Sequence, residues 1–249
     1  MINTIRQFLS LLRISAILAR YGLDDLLHAT HLYRPMRWLL ALVPGARANA
    51  SKPRGERLRL AMQELGPVYV KFGQILSTRR DLLPRDVADE LSLLQDRVPP
   101  FPGEQARDII EKALGQSVDE VFSHFDIEPL ASASIAQVHP ATLHDGSKAV
   151  VKVVRPDIEH DLRRDIDLLK YIASLAEHYW DGAKRVHPKE IVAEFETTIF
   201  DELDMQREAS NASHLRRNFT DSPDLYIPEV YWPYTKRRIL VMERVEGIP

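Results

Sequence analysis

The chain predicts an α+β fold in which helices come first and an antiparallel sheet follows. Three observations carry this reading. Apolar residues recur at helical spacing through most of the first 125 positions. Residues 130–156 hold β-branched runs on either side of His144-Asp145-Gly146, a hairpin signal. Two long amphipathic segments, 157–179 and 188–219, then lead to apolar runs at Tyr226–Val230 and Arg238–Met242. At 249 residues the chain suggests one or two domains with a substantial core. It has no cysteine, and its nine histidines lack metal-ligand spacing, so disulfide, zinc, haem and iron–sulfur frameworks are not expected.

The opening segment places Ile5, Phe8, Leu9, Leu12 and Ala16 on one helical face, with Arg6, Arg13 and Arg20 elsewhere on the wheel. Tyr33–Val43 adds Arg34, Arg37 and Trp38 beside leucines. Residues 1–59 carry ten Lys or Arg against Asp24, Asp25 and Glu56, although the whole chain is at −3. Such a basic amphipathic leader suits a membrane surface, and packing on the protein's own surface explains it equally well. No nucleic-acid-binding motif accompanies it. No apolar run reaches the roughly 18–20 residues that span a bilayer, and no signal peptide is expected.

Residues 44–55 read as a turn-rich linker. A helical region follows from Glu56 to Thr78, broken at Gly66-Pro67 because proline removes a backbone donor and restricts its predecessor. Lys71, Gln74 and Thr78 share its polar face, a pattern that solvation alone accounts for. Further helices are expected over Arg85–Gln95 and Gly103–Leu114, the latter closed by Gly115. Ser117–Glu120 reads as the capped start of a short helix before Phe125.

The hairpin carries the chemistry. Ala131-Ser132-Ala133-Ser134 forms a small-residue loop, Ile135–Thr142 a returning strand, and Ala149–Val154 the next strand, with Lys152 inside Val-Val-Lys-Val-Val. An ammonium in an apolar strand is costly to bury unless an anion meets it. Small residues let a loop backbone approach a ligand closely, and a phosphate fits. This is the logic of a kinase amino-terminal lobe. An ordinary hairpin whose lysine snorkels to solvent has the same pattern. A kinase lobe also needs a carboxylate on a helix to hold the lysine. The segment 188–219, read as one helix, offers Asp201, Asp204 and Glu208 on a single anionic stripe. The last strand, running into Glu243-Arg244-Val245-Glu246-Gly247, fits a hinge that presents backbone to adenine.

These motifs together resemble the UbiB family of atypical, protein-kinase-like proteins of ubiquinone biosynthesis. Lys71-Phe72-Gly73-Gln74 is similar to its KxGQ motif, and Ala131–His139 to its alanine-rich nucleotide loop. Glu202-Leu203-Asp204 is similar to its ExD motif, and Gln206-Arg207-Glu208 to the segment that carries the lysine's partner. The resemblance implies a helical KxGQ-type extension followed by a kinase-like amino-terminal lobe. By chain order, 1–55 is the basic leader and linker, 56–125 the helical extension, and 126–249 the lobe that ends at the hinge.

It further implies that Lys152 pairs with Glu208, and that Leu130, Ala131, Ser132, Ala133, Ser134, Ile135, Ala136, Gln137 and Val138 cover the nucleotide phosphates. Glu243 and Val245 offer hinge backbone, while Lys71, Gln74, Glu202 and Asp204 regulate the site. ATP or ADP is the implied ligand, with Mg2+ as companion in the full-length protein. The implied partners are ubiquinone-biosynthesis enzymes, lipid precursors and the cytoplasmic side of a bacterial inner membrane. Alanine in place of glycine narrows the loop's backbone freedom, so nucleotide and metal preferences unlike those of ordinary kinases are expected.

The sequence has no catalytic loop with Asp and a following Asn, and no Asp-Phe-Gly. It stops at Pro249, just past the implied hinge. The expectation is a truncated family member, lacking the carboxyl-terminal lobe and non-catalytic by itself. A non-catalytic scaffold and a peripheral membrane module stay open beside it.

Overall fold

The computed structural model describes residues 12–23, 49, 51–94, 99–179, 186–220 and 222–247. The start of the leader and the Tyr33–Val43 patch lie outside the described residues, as does Gln95. Contacts among the described residues sort into two compact units. One draws on Met1–Asp96 and Asp161–Thr197, the other on Arg97–His160 and Thr198–Pro249.

The first unit is helical. A segment over 12–20 is followed by α1 (Arg54–Leu65), α2 (Pro67–Thr78) and α3 (Arg85–Leu91). Gly66 has φ 123° and Pro67 stands at the first position of α2, so the expected break is present and costs α2 no hydrogen bond. Ile17, Leu23 and Ala61 form one buried cluster, packed by Leu58 and Leu65 of α1. Arg57 Nη1 donates to the carbonyls of Tyr21, at 3.2 Å, and Gly22. The third helix ends at Leu91, short of the expected limit, and turns through Ser92, whose hydroxyl donates to Asp89 O at 2.6 Å. Hydroxyl-to-backbone bonding of this kind competes with helix continuation.

The second unit contains the sheet. After α4 (Gly103–Leu114) the chain closes on Gly115 in the left-handed region, φ 72°. It re-enters helix at α5 (Val118–Val121) through a reciprocal Ser117–Glu120 capping box. The strands are β1 (Phe122–Phe125), β2 (Ala131–Ser132), β3 (Ala136–Leu143), β4 (Lys148–Val154) and β5 (Ile239–Glu243). The order is β1-β3-β4-β5, antiparallel throughout, and β2 also pairs with β3. Thus β1 and β2 are two pieces of one strand, interrupted at 126–130. The β3–β4 turn uses Gly146 at φ 87°, with the Asp145 carboxylate accepting from Ser147 N at 2.9 Å.

Register decides which side chains share a face. Lys152 lies between Val138 and Leu240, with Ala136, Val150 and Met242 on the same side. Gln137, His139, Val151, Val153, Ile239 and Val241 take the other side, which packs on Phe101, Ala106 and Ile110 as the core of this unit.

Three expectations are corrected. The segment 188–219 is two helices, α7 (Pro188–Glu202) and α8 (Met205–Asn218), because Asp204 leaves the helix at φ −94°, ψ 92° and caps α8 by accepting from Gln206 N at 3.0 Å. Aspartate favours this position over a helix interior. The expected strand Tyr226–Val230 is irregular, contributing one bridge from Val230 to Met242. Pro228 has no donor to give a ladder. The long helix from Asp157 begins instead at Ile158 and runs to Tyr179 as α6, with Asp157 at φ 55°.

Candidate functional site

The site is built on β4, whose burial alternates along the strand. Lys152 Nζ lies 2.8 and 2.7 Å from the two Glu208 carboxylate oxygens, with the side chains 28% and 40% exposed. Glu208 stands in the first turn of α8, where a carboxylate also complements the helix dipole. The anionic stripe expected on one helix does not exist as such. Asp204 is the cap of α8, Asp201 pairs with Arg207, and Glu202 ends α7, so Glu208 is the carboxylate turned toward the lysine.

The small-residue loop stands one strand away. Leu130 N donates to Val138 O and Ala133 N to Ala136 O, both at 2.8 Å, closing a tight reversal over 130–136. Leu130 and Ala131 are exposed, Ser132 and Ala133 half-buried, and Ser134, Ile135 and Ala136 buried. Ala136 and Val138 share the face of Lys152.

The Gln137 side chain does not join that face. A strand turns alternate side chains to opposite sides, and Gln137 is buried in the core side. Its Oε1 accepts from Phe101 N at 3.1 Å, while Nε2 donates to Phe101 O at 3.2 Å and to His139 Nε2 at 2.8 Å. The opposite ring nitrogen of His139, Nδ1, donates to Asp126 O at 2.9 Å. A carbonyl only accepts, so Nδ1 carries the proton and the ring is neutral. Burial draws the His139 pKa below its ordinary value, with the Asp126 carbonyl pulling weakly the other way.

Arg155 was not singled out by sequence reasoning. Its Nε donates to Ala133 O at 3.0 Å, and its Nη2 to Ser132 Oγ at 2.7 Å and Pro99 O at 2.9 Å. The guanidinium stands 5.6 Å from the centre of the Phe101 ring, a cation–π distance. Burial draws its pKa down from the ordinary value. The Pro99–Pro102 segment is thus fastened to the sheet by Gln137 and Arg155, and Gly103 completes the fit. A Cβ there would stand 2.0 Å from Ile127 O. One signal in the sequence points to the arrangement: Gln137 and His139 are polar residues two apart, on one face of an apolar strand.

At the far end of β5, the Glu243 carboxylate accepts from the Tyr226 hydroxyl at 2.6 and 2.5 Å and from Glu229 N at 3.1 Å, with Arg216 3.7 Å away. The Tyr226 hydroxyl and the Glu229 amide hold the carboxyl below its ordinary range, and the same hydrogen bond raises the Tyr226 pKa. Glu243 N donates to Glu229 O at 2.8 Å, so this residue has only its carbonyl to offer a ligand from the main chain. Val245 lies beyond the strand and is exposed.

Lys71 and Gln74 belong to the helical unit, on α2, and both are half-buried. Gln74 Nε2 donates to Leu94 O at 3.1 Å, so the polar face is not merely solvated. Gly73 between them makes room for Leu94 Cδ1 and Met62 Sδ, which a Cβ would meet at 2.5 and 2.6 Å. Among the described residues, no group of three His, Asp or Glu is placed to hold a metal ion, and no helix is long and apolar enough to cross a membrane.

Comparison with known proteins places the chain in a family. The chain is 57% identical over 240 residues to the "Probable protein kinase UbiB" of Marinobacter nauticus, covering 96% of this chain and 44% of that protein. It is 54% identical over 250 residues to the protein of the same name from Pseudomonas paraeruginosa, covering 97% and 46%. The chain therefore spans under half the length of these relatives. Among solved structures, Rv3197 of Mycobacterium tuberculosis, determined as a complex with erythromycin, superposes with a TM-score of 0.55 at 27% identity, over 81% of this chain and 51% of that one. Residues 93–249 match the ABC1 atypical kinase-like domain, and the chain belongs to that family.

Proposed function

We propose that this chain is the nucleotide-facing part of an atypical kinase or ATPase that supports ubiquinone biosynthesis. The observation that carries the reading is the Lys152–Glu208 ion pair, set on the sheet face that the Ala136 and Val138 side chains share. Glu208 fixes the ammonium in the place where an α- or β-phosphate is met. The backbone of Leu130–Val138 covers the phosphates, closely because its tip is small. Glu243 through its carbonyl and Val245 through its main chain meet the adenine. In this reading the helical extension begins at 56 and the lobe runs to 249, with the boundary expected at 125/126 moved toward the amino terminus, because β1 pairs with β3 and Ala106 and Ile110 pack in the core of the sheet. Lys71, Gln74, Glu202 and Asp204 are assigned to control of the site rather than to nucleotide contact.

ATP or ADP fits this set of a cation, a small loop and a strand end. Mg2+ is the proposed companion of the nucleotide in the full-length protein. With no catalytic Asp-to-Asn loop and no Asp-Phe-Gly in the sequence, this chain by itself binds nucleotide without turning it over. Ubiquinone-biosynthesis enzymes, their lipid precursors and the cytoplasmic face of a bacterial inner membrane are the proposed partners, the last through the basic residues of 1–59.

Calorimetric titration of the chain with MgADP and MgATP tests the reading. Saturable binding is expected, weakened at least about tenfold in Lys152→Ala, where the loss of one charge-assisted contact is worth about 1.4 kcal/mol or more. No phosphate release is expected. A wild-type chain that binds neither nucleotide overturns the proposal.

A further inference from the structure

The alanine-rich loop is held by a residue from outside it, and from the side away from the lysine. Arg155 follows β4 on the side of Val153, which packs with Phe101 in the core, whereas Lys152 points to the opposite face. One guanidinium joins Ser132 Oγ and Ala133 O in the loop to Pro99 O in the segment before α4. The backbone adds to this. Arg155 N donates to Ile135 O at 2.9 Å, and Arg155 O accepts from Arg238 Nη2 at 3.0 Å. The loop, the Pro99–Phe101 segment and the start of β5 therefore meet at a single residue. The planar fork of arginine makes this possible, since it offers several donors in fixed directions where a lysine ammonium is one mobile point.

We propose that Arg155 is the positioning residue of the alanine-rich loop: held from behind by Phe101 and Pro99, it fixes where the loop backbone stands relative to the Lys152–Glu208 pair, and so sets the preference between ATP and ADP. This rests on the nucleotide reading above. The physical reason is that alanine restricts the loop's own conformations while the arginine removes what freedom remains. A loop pinned at Ser132 and Ala133 cannot adjust to a third phosphate without breaking bonds to a partly desolvated cation. Arg155 itself touches no nucleotide, because it acts from the other face.

The test uses hydrogen exchange and nucleotide titration on the same variants. In Arg155→Met, amides of 130–136 are expected to exchange about tenfold faster, while those of 149–153 and 239–243 keep their wild-type rates. Arg155→Lys is expected to behave like Met, since the charge without the fork cannot reach three acceptors. Ser132→Ala, which removes one acceptor at a half-buried site, falls between and decides the matter if the arginine variants fail to fold. The ratio of MgATP to MgADP dissociation constants should move at least about fivefold in Arg155→Met and stay unchanged in Val151→Ala, a core variant of the same strand. Loop amides that keep their protection, or acceleration shared by every strand, overturns the positioning role. An unmoved ratio with a loosened loop overturns the link to nucleotide choice. A wild-type chain that binds no nucleotide defeats the functional reading instead, and the exchange result still decides whether Arg155 positions the loop.

Discussion

Lys152 and Glu208, separated by 56 positions in the chain, meet as an ion pair in which both carboxylate oxygens lie within 2.8 Å of one ammonium. The strand supplies the cation and the first turn of α8 the anion. Neither side chain is fully buried, so solvent screens much of the attraction, and the pair is worth at most about 1 kcal/mol to folding. Its geometry matters more than its energy. Glu208→Gln is therefore expected to shift stability by no more than about 1 kcal/mol while weakening MgADP binding about tenfold or more. Urea unfolding and calorimetry on one preparation check this, and a variant with native affinity shows the pair to be merely structural.

The Gln137 amide joins three buried partners, and removing it leaves the Phe101 amide and carbonyl and the His139 ring unsatisfied. Gln137→Leu has nearly the same volume but none of the bonds. It is expected to cost about 3 kcal/mol or more, since three buried groups go unmet at about 1–3 kcal/mol each. Chemical denaturation measures this directly, and a cost below about 1 kcal/mol would mean that the network is not rigid.

His139 is held neutral, with its folded pKa below the unfolded value near 6.5. The unfolded state therefore binds more protons as pH falls through that value. Stability from this residue is fully present above about pH 6.5 and declines below it, until the folded pKa is reached. Unfolding free energies at pH 7.5 and 5.5 should show a smaller acid-side loss in His139→Asn than in the wild type. Equal losses in the two proteins refute the assignment.

Gly103 and Gly146 are expected to respond differently to alanine. At Gly103 the new methyl runs into the Ile127 carbonyl, a backbone atom that cannot turn aside, so about 3 kcal/mol or complete misfolding is predicted. At Gly146 there is open space, and only the left-handed φ of 87° opposes the change, costing about 1–2 kcal/mol. Thermal melts of the two variants, run side by side, should keep this order.

Asp204 was expected to face a cation and instead caps a helix. Asp204→Ala should lose about 1 kcal/mol and Asp204→Asn almost none, because asparagine caps equally well without charge. A large loss in the asparagine variant would restore a role for the charge.

Much of the architecture was legible in the residues. Gly66-Pro67, Gly115 and the Ser117–Glu120 box are local devices whose effect depends on a few neighbouring atoms, and each acts where the pattern places it. The hairpin register follows from β-branched alternation around Asp145-Gly146, because one face had to be apolar. Local pattern failed at Asp204 and Pro228, where a competing cap and a missing donor outweighed an otherwise continuous periodicity.

Spacing and side-chain chemistry, which act over a few residues, are enough for most of the elements, for a lysine in an apolar strand and for the small-residue loop near it. The choice of Glu208 over its neighbours, which the sequence carries only through a family resemblance, becomes a contact through tertiary pairing, as do the turn of Gln137 into the core and the tie from Arg155 to Pro99 and Phe101. Those outcomes depend on which strands lie side by side and where a helix restarts, and such long-range pairings leave no periodic trace in the chain.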